Sequence, residues 1–410
     1  RCPYCFADAK DAPCAASADP PLSEISRWLD RLIGLGEERK FNIQISGGEP
    51  TMRPDLPEII RLCAEKGFEY IQLNTNGRRL AESAEYAKAL KIAGLSTVFL
   101  QFDGTDDAVY KKLRGAPLFA AKKAAVANCA SAKLPVTLVP TILKSVNLSS
   151  VGEIIGFMLD NLHVVKGVHF QPASFFGRRP DSRGETGDFN ERVTMFAVME
   201  EIGRRTNGAI RKSDLAPVST GHPLCCFCAA FLRKRNGEIS VLRSDGGDCC
   251  CTPDPLEIVR RDRDFVLNKW EVFEAGENTP ADSGGDAGET MNFDAAIAWF
   301  QRNMFTISGM AFMDSTNLDA ERLRRCRVHV FAEGEYLVPF CAYYSGFWRN
   351  GVLYPVETKK RINCDKDDIT AFRQLDKIPD MKRGEGCVVC MANDVFPITA
   401  TDKAVGVCYL

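Results

Sequence analysis

Cys2 and Cys5, in the stretch Arg1-Cys2-Pro3-Tyr4-Cys5, stand at a spacing that could hold zinc, a redox disulfide or an iron–sulfur cluster. The spacing alone does not choose among them. Further on, the strand-like run Asn42-Ile43-Gln44-Ile45-Ser46 leads into Gly47-Gly48-Glu49-Pro50-Thr51. The glycine pair lets backbone approach a ligand closely, the glutamate adds a carboxylate, and the proline stops the strand. The two stretches make sense as one site. The competing reading is a zinc knuckle beside an ordinary Gly-Gly turn, and the presence of both motifs at this spacing weighs against it.

The pair of motifs resembles the radical S-adenosylmethionine (SAM) superfamily, whose signature is CxxxCxxC after a first strand and GGEP after the second. GGEP is reproduced letter for letter at Gly47 to Pro50. The family's first cysteine would lie four residues before Cys2, ahead of Arg1. The chain is therefore expected to be a piece of a longer protein, with a first strand and a third cluster ligand upstream. The resemblance implies a [4Fe–4S] cluster held by three thiolates, Cys2 and Cys5 among them, with the fourth iron open to the amino and carboxylate groups of SAM. It places Gly47, Gly48, Glu49 and Pro50 at SAM. It also implies reductive cleavage of the sulfonium to methionine and a 5′-deoxyadenosyl radical that abstracts hydrogen from an unactivated carbon. An electron donor such as ferredoxin or flavodoxin would supply the electron.

At 410 residues the chain is long enough for one large α/β domain and a smaller one. Its 52 basic and 54 acidic residues nearly balance, which gives no argument for nucleic acid or for electrostatic attachment to anionic membranes. No apolar run reaches the roughly eighteen residues a spanning helix needs, so any membrane contact is expected to be peripheral. Seventeen cysteines in clusters suit metal ligation better than a disulfide framework and point to a reducing, anaerobic cytoplasm. A targeting segment could have been lost with the upstream residues.

These side chains need a scaffold, and the hydrophobic periods supply one. A helix is expected over 24–35, then strand 42–46, helix 55–66, strand 70–74, helix 80–93, strand 97–102, helix 118–132, strand 136–140, helix 149–160 and strand 167–171. The alternation predicts α/β architecture with a parallel sheet, most simply a partial (β/α)6 barrel of the radical SAM type whose first strand is missing, followed by a cysteine-rich C-terminal α+β extension. In such barrels the chemistry sits at the carboxyl ends of the strands. Polar residues follow each strand there: Asn74 and Asn76, Asp103, Thr141 and Asn147, and Gln171. Each alone reads as turn chemistry. On one rim beside a cofactor motif, Asn74, Asn76, Asp103, Thr141 and Gln171 become candidate contacts to SAM. His169 reads as a packed or rim histidine, and Arg114 as an exposed arginine at a helix end.

Beyond Phe176 the pattern changes. A basic loop, Gly177 to Gly184, precedes a helix expected over 189–202. Cys225, Cys226 and Cys228 and then Cys249, Cys250 and Cys251 flank a hairpin, Phe231 to Leu242, turning at Asn236-Gly237. A hairpin that returns one group to the other could gather four thiolates, Cys225, Cys228, Cys249 and Cys251 being the candidates, around an auxiliary iron–sulfur cluster. Zinc is the competitor and His222 a further possible ligand. Cys14 reads as a surface thiol. Residues 274–290 lack hydrophobic periodicity and read as an acidic linker or lid. From about 291 a further unit is expected: a helix near Phe293 to Phe300, a buried turn at Thr306 to Asp314, a helix over Leu318 to Arg325, and a hairpin carrying Cys326 and Cys341 near its ends. Cys387-Val388-Val389-Cys390 is a second CxxC, read as another metal site with inert buried thiols as the alternative. The division so reached is 1–176 for the barrel, 177–273 for the auxiliary-cluster region, 274–290 for the linker and 291–410 for the last domain.

Three longer stretches, Phe170 to Arg178, Gly221 to Cys225, and Arg325-Cys326 through Pro339-Phe340-Cys341, resemble the group that contains archaeal tetraether lipid synthase and proteins described as pterin methylases. The resemblance implies electron-carrying auxiliary clusters, with Cys225 and the pair Cys326 and Cys341 as ligands. The triple Cys249-Cys250-Cys251 and the tail from Cys364 to Cys408 depart from it. The functional expectation is hydrogen abstraction from an unactivated carbon, with a lipid chain as the leading substrate class. The alternatives are methylation of a pterin or other small molecule and modification of a peptide.

Overall fold

A computed structural model describes residues 19–35, 41–175, 191–218, 222–242, 293–314, 317–332, 336–344, 348–349, 352–358, 362–376, 382–392 and 394–406. Cys2, Cys5, Cys14, Cys249, Cys250, Cys251, Cys408, the basic loop from Gly177 and the stretch 274–290 lie outside the described residues. Compact contacts divide the chain into two units, Arg1–Phe312 and Met313–Leu410.

In the first unit, β1 (Ile43–Ile45), β2 (Ile71–Thr75), β3 (Thr97–Gln101), β4 (Val136–Val139), β5 (Thr141–Ile142) and β6 (Val165–Pro172) alternate with helices. These helices are α1 (Leu22–Ile33), α2 (Leu56–Glu65), α3 (Arg78–Glu82), α4 (Ala84–Ile92), α5 (Asp107–Arg114), α6 (Phe119–Ser131) and α7 (Val151–Asp160). The longer helices bury residues at helical spacing: Leu56, Ile59, Ile60 and Cys63 on α2, and Val151, Ile154, Ile155 and Met158 on α7. Ser83 caps α4 by accepting from the Tyr86 amide, and Asp106 caps α5 by accepting from that of Ala108. After α8 (Met195–Arg205), capped by Thr194, come β7 (Ala216–Pro217), β8 (Cys226–Arg233), β9 (Ile239–Leu242), α9 (Phe293–Asn303) and β10 (Met304–Met310).

The sheet runs β1-β2-β3-β4-β6-β10-β8-β7, with β5 on β6 and β9 on β8. It is parallel from β1 through β10 and antiparallel beyond. The architecture is the expected α/β partial barrel, with one difference in how it is filled. Residues 306–310, expected as part of a buried turn in a later domain, form the strand β10, which pairs parallel with β6 and antiparallel with β8. That pairing draws the chain as far as Phe312 into the first unit. The hairpin of β8 and β9 turns at Asn236-Gly237 as the sequence predicts, with Gly237 at φ 83°.

Alternation separates the two faces of the sheet. Ile71, Leu73, Val98, Leu100, Val136, Leu138, Val168, Phe170, Phe305 and Ile307 are buried on one. The other, here the inner face, carries Gln44, Gln72, Asn74, Phe99, Gln101, Val139, His169, Gln171, Ser308 and Met310, most of them only partly buried. Among the described residues, no helix is long and apolar enough to cross a membrane.

In the second unit, β11 (His329–Ala332) and β12 (Tyr336–Pro339) form the expected antiparallel hairpin. A three-stranded sheet joins β13 (Trp348–Arg349), β14 (Val352–Leu353) and β16 (Lys382–Arg383), and a four-stranded one runs β15 (Val356–Thr358), β17 (Gly386–Cys390), β19 (Asp402–Gly406), β18 (Val395–Pro397). Asp402 is buried there and accepts from Nη1 of Arg383 at 2.6 Å and from the Gly386 amide at 3.1 Å.

The seam between β6 and β10 depends on Gly167, which pairs with Thr306. A Cβ at this position would sit 2.5 Å from Oγ1 and 2.7 Å from the backbone oxygen of Thr306. A backbone oxygen cannot swing away as a side chain can. Gly167→Ala is expected to lose about 1–3 kcal/mol of stability, read as a lowered denaturant midpoint of the first unfolding transition.

Candidate functional site

The GGEP segment is latched by its own carboxylate. Glu49 Oε1 accepts from the Thr51 amide at 3.2 Å, from Thr51 Oγ1 at 2.7 Å and from Thr75 Oγ1 at 2.6 Å. Its Oε2 accepts from the Asn76 amide at 2.7 Å. The loop after β1 is thereby tied to the end of β2. Pro50 opens a short 3-10 turn, Pro50–Met52, in which Thr51 is fully buried, and Arg79 donates to the Thr51 carbonyl. With the glutamate so engaged, Gly47 and Gly48 are the exposed part of the segment. Gly47 has φ 151°, where a side chain would be strained, and a Cβ there would meet nothing within 4 Å. This open backbone fits a polar ligand such as the amino-acid end of SAM.

Asn76 is placed beside the latch, but its groups serve the fold. Its carbonyl accepts from Nζ of Lys122 at 2.6 Å and its Oδ1 accepts from the Arg78 amide at 2.9 Å. Lys122, on α6, is fully buried and also donates to Oε1 of Gln101 at 2.8 Å. No periodicity marks this lysine as special, and only the geometry finds it. The neighbouring Gly77, at φ 75°, starts α3.

Asp103 and Thr141 form a second knot. Asp103 is completely buried and accepts from Nε of Arg114 at 2.7 Å, from Nη2 of Arg114 at 2.9 Å and from the Thr141 amide at 3.0 Å. Arg114 Nη2 also donates to Thr141 Oγ1 at 2.9 Å. Asn147, fully buried, donates to the carbonyls of Asp103 and Thr141. The arginine expected as an exposed helix end is instead one half of a buried ion pair. It stands at the end of α5, a helix that aims it back at the β3 terminus. The Asp103 carboxylate, expected at SAM, is turned inward to this pair.

On the inner face, Asn74 Oδ1 accepts from Nε2 of Gln72 at 3.0 Å, and Gln72 also donates to Gln44 Oε1 at 3.0 Å. Gln171 is half-buried on the same face, and its backbone N–H donates to the Pro140 carbonyl. His169 lies two residues before it, with Nδ1 2.9 Å from Ser308 Oγ and its ring 5.8 Å from that of Phe99. Desolvation brings its pKa down to about 4, so the imidazole is neutral. Of the expected cofactor contacts, Gly47 and Gly48 are exposed, and Asn74 and Gln171 lie partly buried on the inner face. The structure uses Glu49, Asn76, Asp103 and Thr141 to build the rim.

The cysteines divide differently. Cys226 and Cys228, two apart on β8, share the inner face, opposite Met310 and Ser308, while Cys225 precedes the strand and its carbonyl accepts from the Ala311 amide. The strand register thus brings Cys226, rather than Cys225, alongside Cys228. His222 Nδ1 accepts from the Leu224 amide. In the second unit, Cys326 Sγ donates to the Val328 carbonyl and Cys341, buried, accepts from the Met313 amide, both toward the open end of the hairpin. Cys387 and Cys390 lie three apart on the continuous strand β17, which turns them to opposite faces, and Cys390 packs with Ala392 and Ala404. A CxxC metal knuckle needs a turn, and here it is a strand. Cys63 and Cys129, buried on α2 and α6, have thiols pushed up by desolvation to about 11 and about 12. Among the described residues, no three His, Cys, Asp or Glu side chains are grouped to hold a metal ion.

Two substitutions separate the roles. Glu49→Gln sets an amide against four donors and is expected to weaken SAM binding about tenfold or more, since charge-assisted bonds carry about 1.5–3 kcal/mol. Equilibrium dialysis with labelled SAM reads it. Asp103→Asn is expected to lower stability by about 3–5 kcal/mol, much of it restored by adding Arg114→Met, because a stranded buried charge costs more than an apolar replacement of the pair. Denaturant midpoints of the single and double variants check this.

The model of the radical SAM superfamily matches residues 1–158. The 7,8-dihydro-6-hydroxymethylpterin dimethyltransferase of Methanocaldococcus jannaschii is 32% identical over 380 residues, covering 84% of this chain and 74% of that protein. The GTP 3',8-cyclase of Synechococcus elongatus is 30% identical over 162 residues, 39% of this chain and 48% of that protein. Among solved structures, Streptococcus suis SuiB bound to precursor peptide SuiA is matched at a TM-score of 0.38 and 15% identity, over 50% of this chain and 42% of that one. On the family match and the relative aligned along most of its length, the chain belongs to the radical SAM superfamily and is an enzyme of the [4Fe–4S] cluster and S-adenosylmethionine.

Proposed function

We propose that the enzyme methylates a small, flat heteroaromatic substrate of the pterin class. One SAM, cleaved with an electron from the reductant, would take up the carbon-bound hydrogen as 5′-deoxyadenosine. A second SAM would give its methyl group and leave as S-adenosylhomocysteine, with a further electron from the reductant closing the balance. The observation that carries this reading is the chemistry of the inner face. It presents Gln44, Asn74, His169, Gln171 and Ser308 on one face of the sheet, polar groups of the kind that orient a heterocycle. A lipid tail, the leading expectation from sequence, calls for a long apolar tunnel, and this row of amides, imidazole and hydroxyl disfavours it. The pterin named for the Methanocaldococcus relative supports the same choice.

In this reading Cys2 and Cys5 hold the cluster, and the bound cluster with SAM supplies the radical that activates the C–H bond. The chain's own part is placement. The Glu49 latch orders Gly47 and Gly48 for the amino-acid end of SAM. The knots at Lys122 and Asp103 fix the adjoining strand ends, so the inner face keeps its shape while a reactive intermediate is held away from water.

The test uses protein expressed from its full reading frame, reconstituted without air, and supplied with SAM, dithionite and 6-hydroxymethyl-7,8-dihydropterin. The expected result is 5′-deoxyadenosine together with a pterin heavier by a methyl group, both abolished by Cys2→Ala and by Cys5→Ala. Formation of 5′-deoxyadenosine with the pterin unchanged would overturn the substrate assignment.

A further inference from the structure

Across the C-terminal half of the sheet, the register aligns Gln101 on β3 with Val139 on β4, and Ser308 on β10 with His169 on β6 and Cys228 on β8. Three of these side chains can make strong directional contacts with an uncharged ligand: Gln101, His169 and Ser308, whose hydroxyl is paired with His169. Gln101 is consumed: its Oε1 accepts from buried Lys122, and its Nε2 donates to Asp103. His169 is engaged on one side only. Its Nδ1 meets Ser308 Oγ at 2.9 Å, and among the described residues Nε2 makes no hydrogen bond.

The Ser308 contact fixes the plane of the imidazole. The partly buried ring of Phe99, tilted by 43° to it, supplies an adjoining aromatic surface. We propose that Nε2 of His169 orients the substrate, hydrogen-bonding a nitrogen or carbonyl on the edge of a flat heteroaromatic ring that lies against Phe99. Ser308 is the positioning residue that holds the imidazole for this contact. The inference rests on the methylation reading above, and it names the group that reads the ring.

A neutral imidazole suits the task. A serine hydroxyl can donate to Nδ1 or accept from it, so Nε2 can present either a donor or an acceptor to the ring edge. A histidine that merely packed would be indifferent to what it faces. Ser308 arrives from a strand 139 residues away in sequence, so this pairing exists only because β10 joins the sheet beside β6.

Binding of 6-hydroxymethyl-7,8-dihydropterin to the reconstituted full-length enzyme with SAM, followed without air by ligand fluorescence, tests the proposal. Iron content and the thermal melt serve as controls for folding. His169→Phe is expected to weaken binding about tenfold or more, and His169→Gln, which keeps a side-chain amide, less. Ser308→Ala is expected to weaken it about threefold, with Ser308→Thr restoring it, a rescue that a packing role alone would not produce. Wild-type affinity in His169→Phe and in His169→Gln would overturn the role of His169 while leaving the pterin reading intact. No binding by the wild-type enzyme would overturn the pterin reading and this inference together.

Discussion

A parallel sheet ends every strand with backbone and side-chain polar groups that the ladder no longer satisfies, and at the carboxyl rim of this barrel they must be satisfied without closing the site. The solution is a small set of strongly held side chains. Glu49 gathers four donors between the first two strand ends, Lys122 bridges the second and third, and the Asp103–Arg114 pair with Asn147 joins the third to the fourth. Each link is charge-assisted and partly or fully buried, where removing one partner is costly. The rim is therefore stiff, and the open glycine backbone beside it is held in place by neighbours that do not themselves meet the ligand.

This division of labour explains how far the sequence could be read. Strand and helix periods placed α1, β1, α2, β2, β3, α6, β4, α7 and β6 within a few residues, because each carries its own hydrophobic pattern, but ran α3 and α4 together as one helix and gave neither α5 nor the two-residue β5. Position near the rim was legible too: Asp103 follows β3 and Thr141 follows β4, while Asn74 and Gln171 are among the last residues of β2 and β6. What each does there was not, because whether a carboxylate such as Asp103 faces ligand or arginine is decided by residues outside its own segment. Arg114 read as exposed because nothing near it in sequence says that α5 points it at Asp103. Lys122 and Ser308 gave no signal at all.

β10 was missed for a related reason. Its segment, Met304 to Met310, includes Ser308-Gly309, which reads locally as a turn, yet its partners are β6 and β8. Gly309 is required there by packing, since a Cβ would lie 2.5 Å from the ring of Phe227. The glycine is a close-approach residue inside a strand, and only the tertiary partner distinguishes that from a turn. In the same way Cys387 and Cys390 match a metal motif in spacing but sit on an extended strand, where the period of two sends them apart.

In the proposed reading, selectivity on the inner face would follow from what it costs to cover such groups. A polymethylene chain laid against His169, Gln171 and Asn74 would remove them from water and return no hydrogen bond, at about 1–3 kcal/mol for each group left unsatisfied. Sites built to hydrogen-bond a substrate reject an analogue lacking the partner far more strongly than apolar pockets reject an added group. A flat ring with donors and acceptors along its edge restores those bonds and buries its faces against Phe99. The same row of residues that argues against a lipid thus argues for a heterocycle, and the preference does not depend on the radical chemistry, which activates a C–H bond wherever the substrate is held.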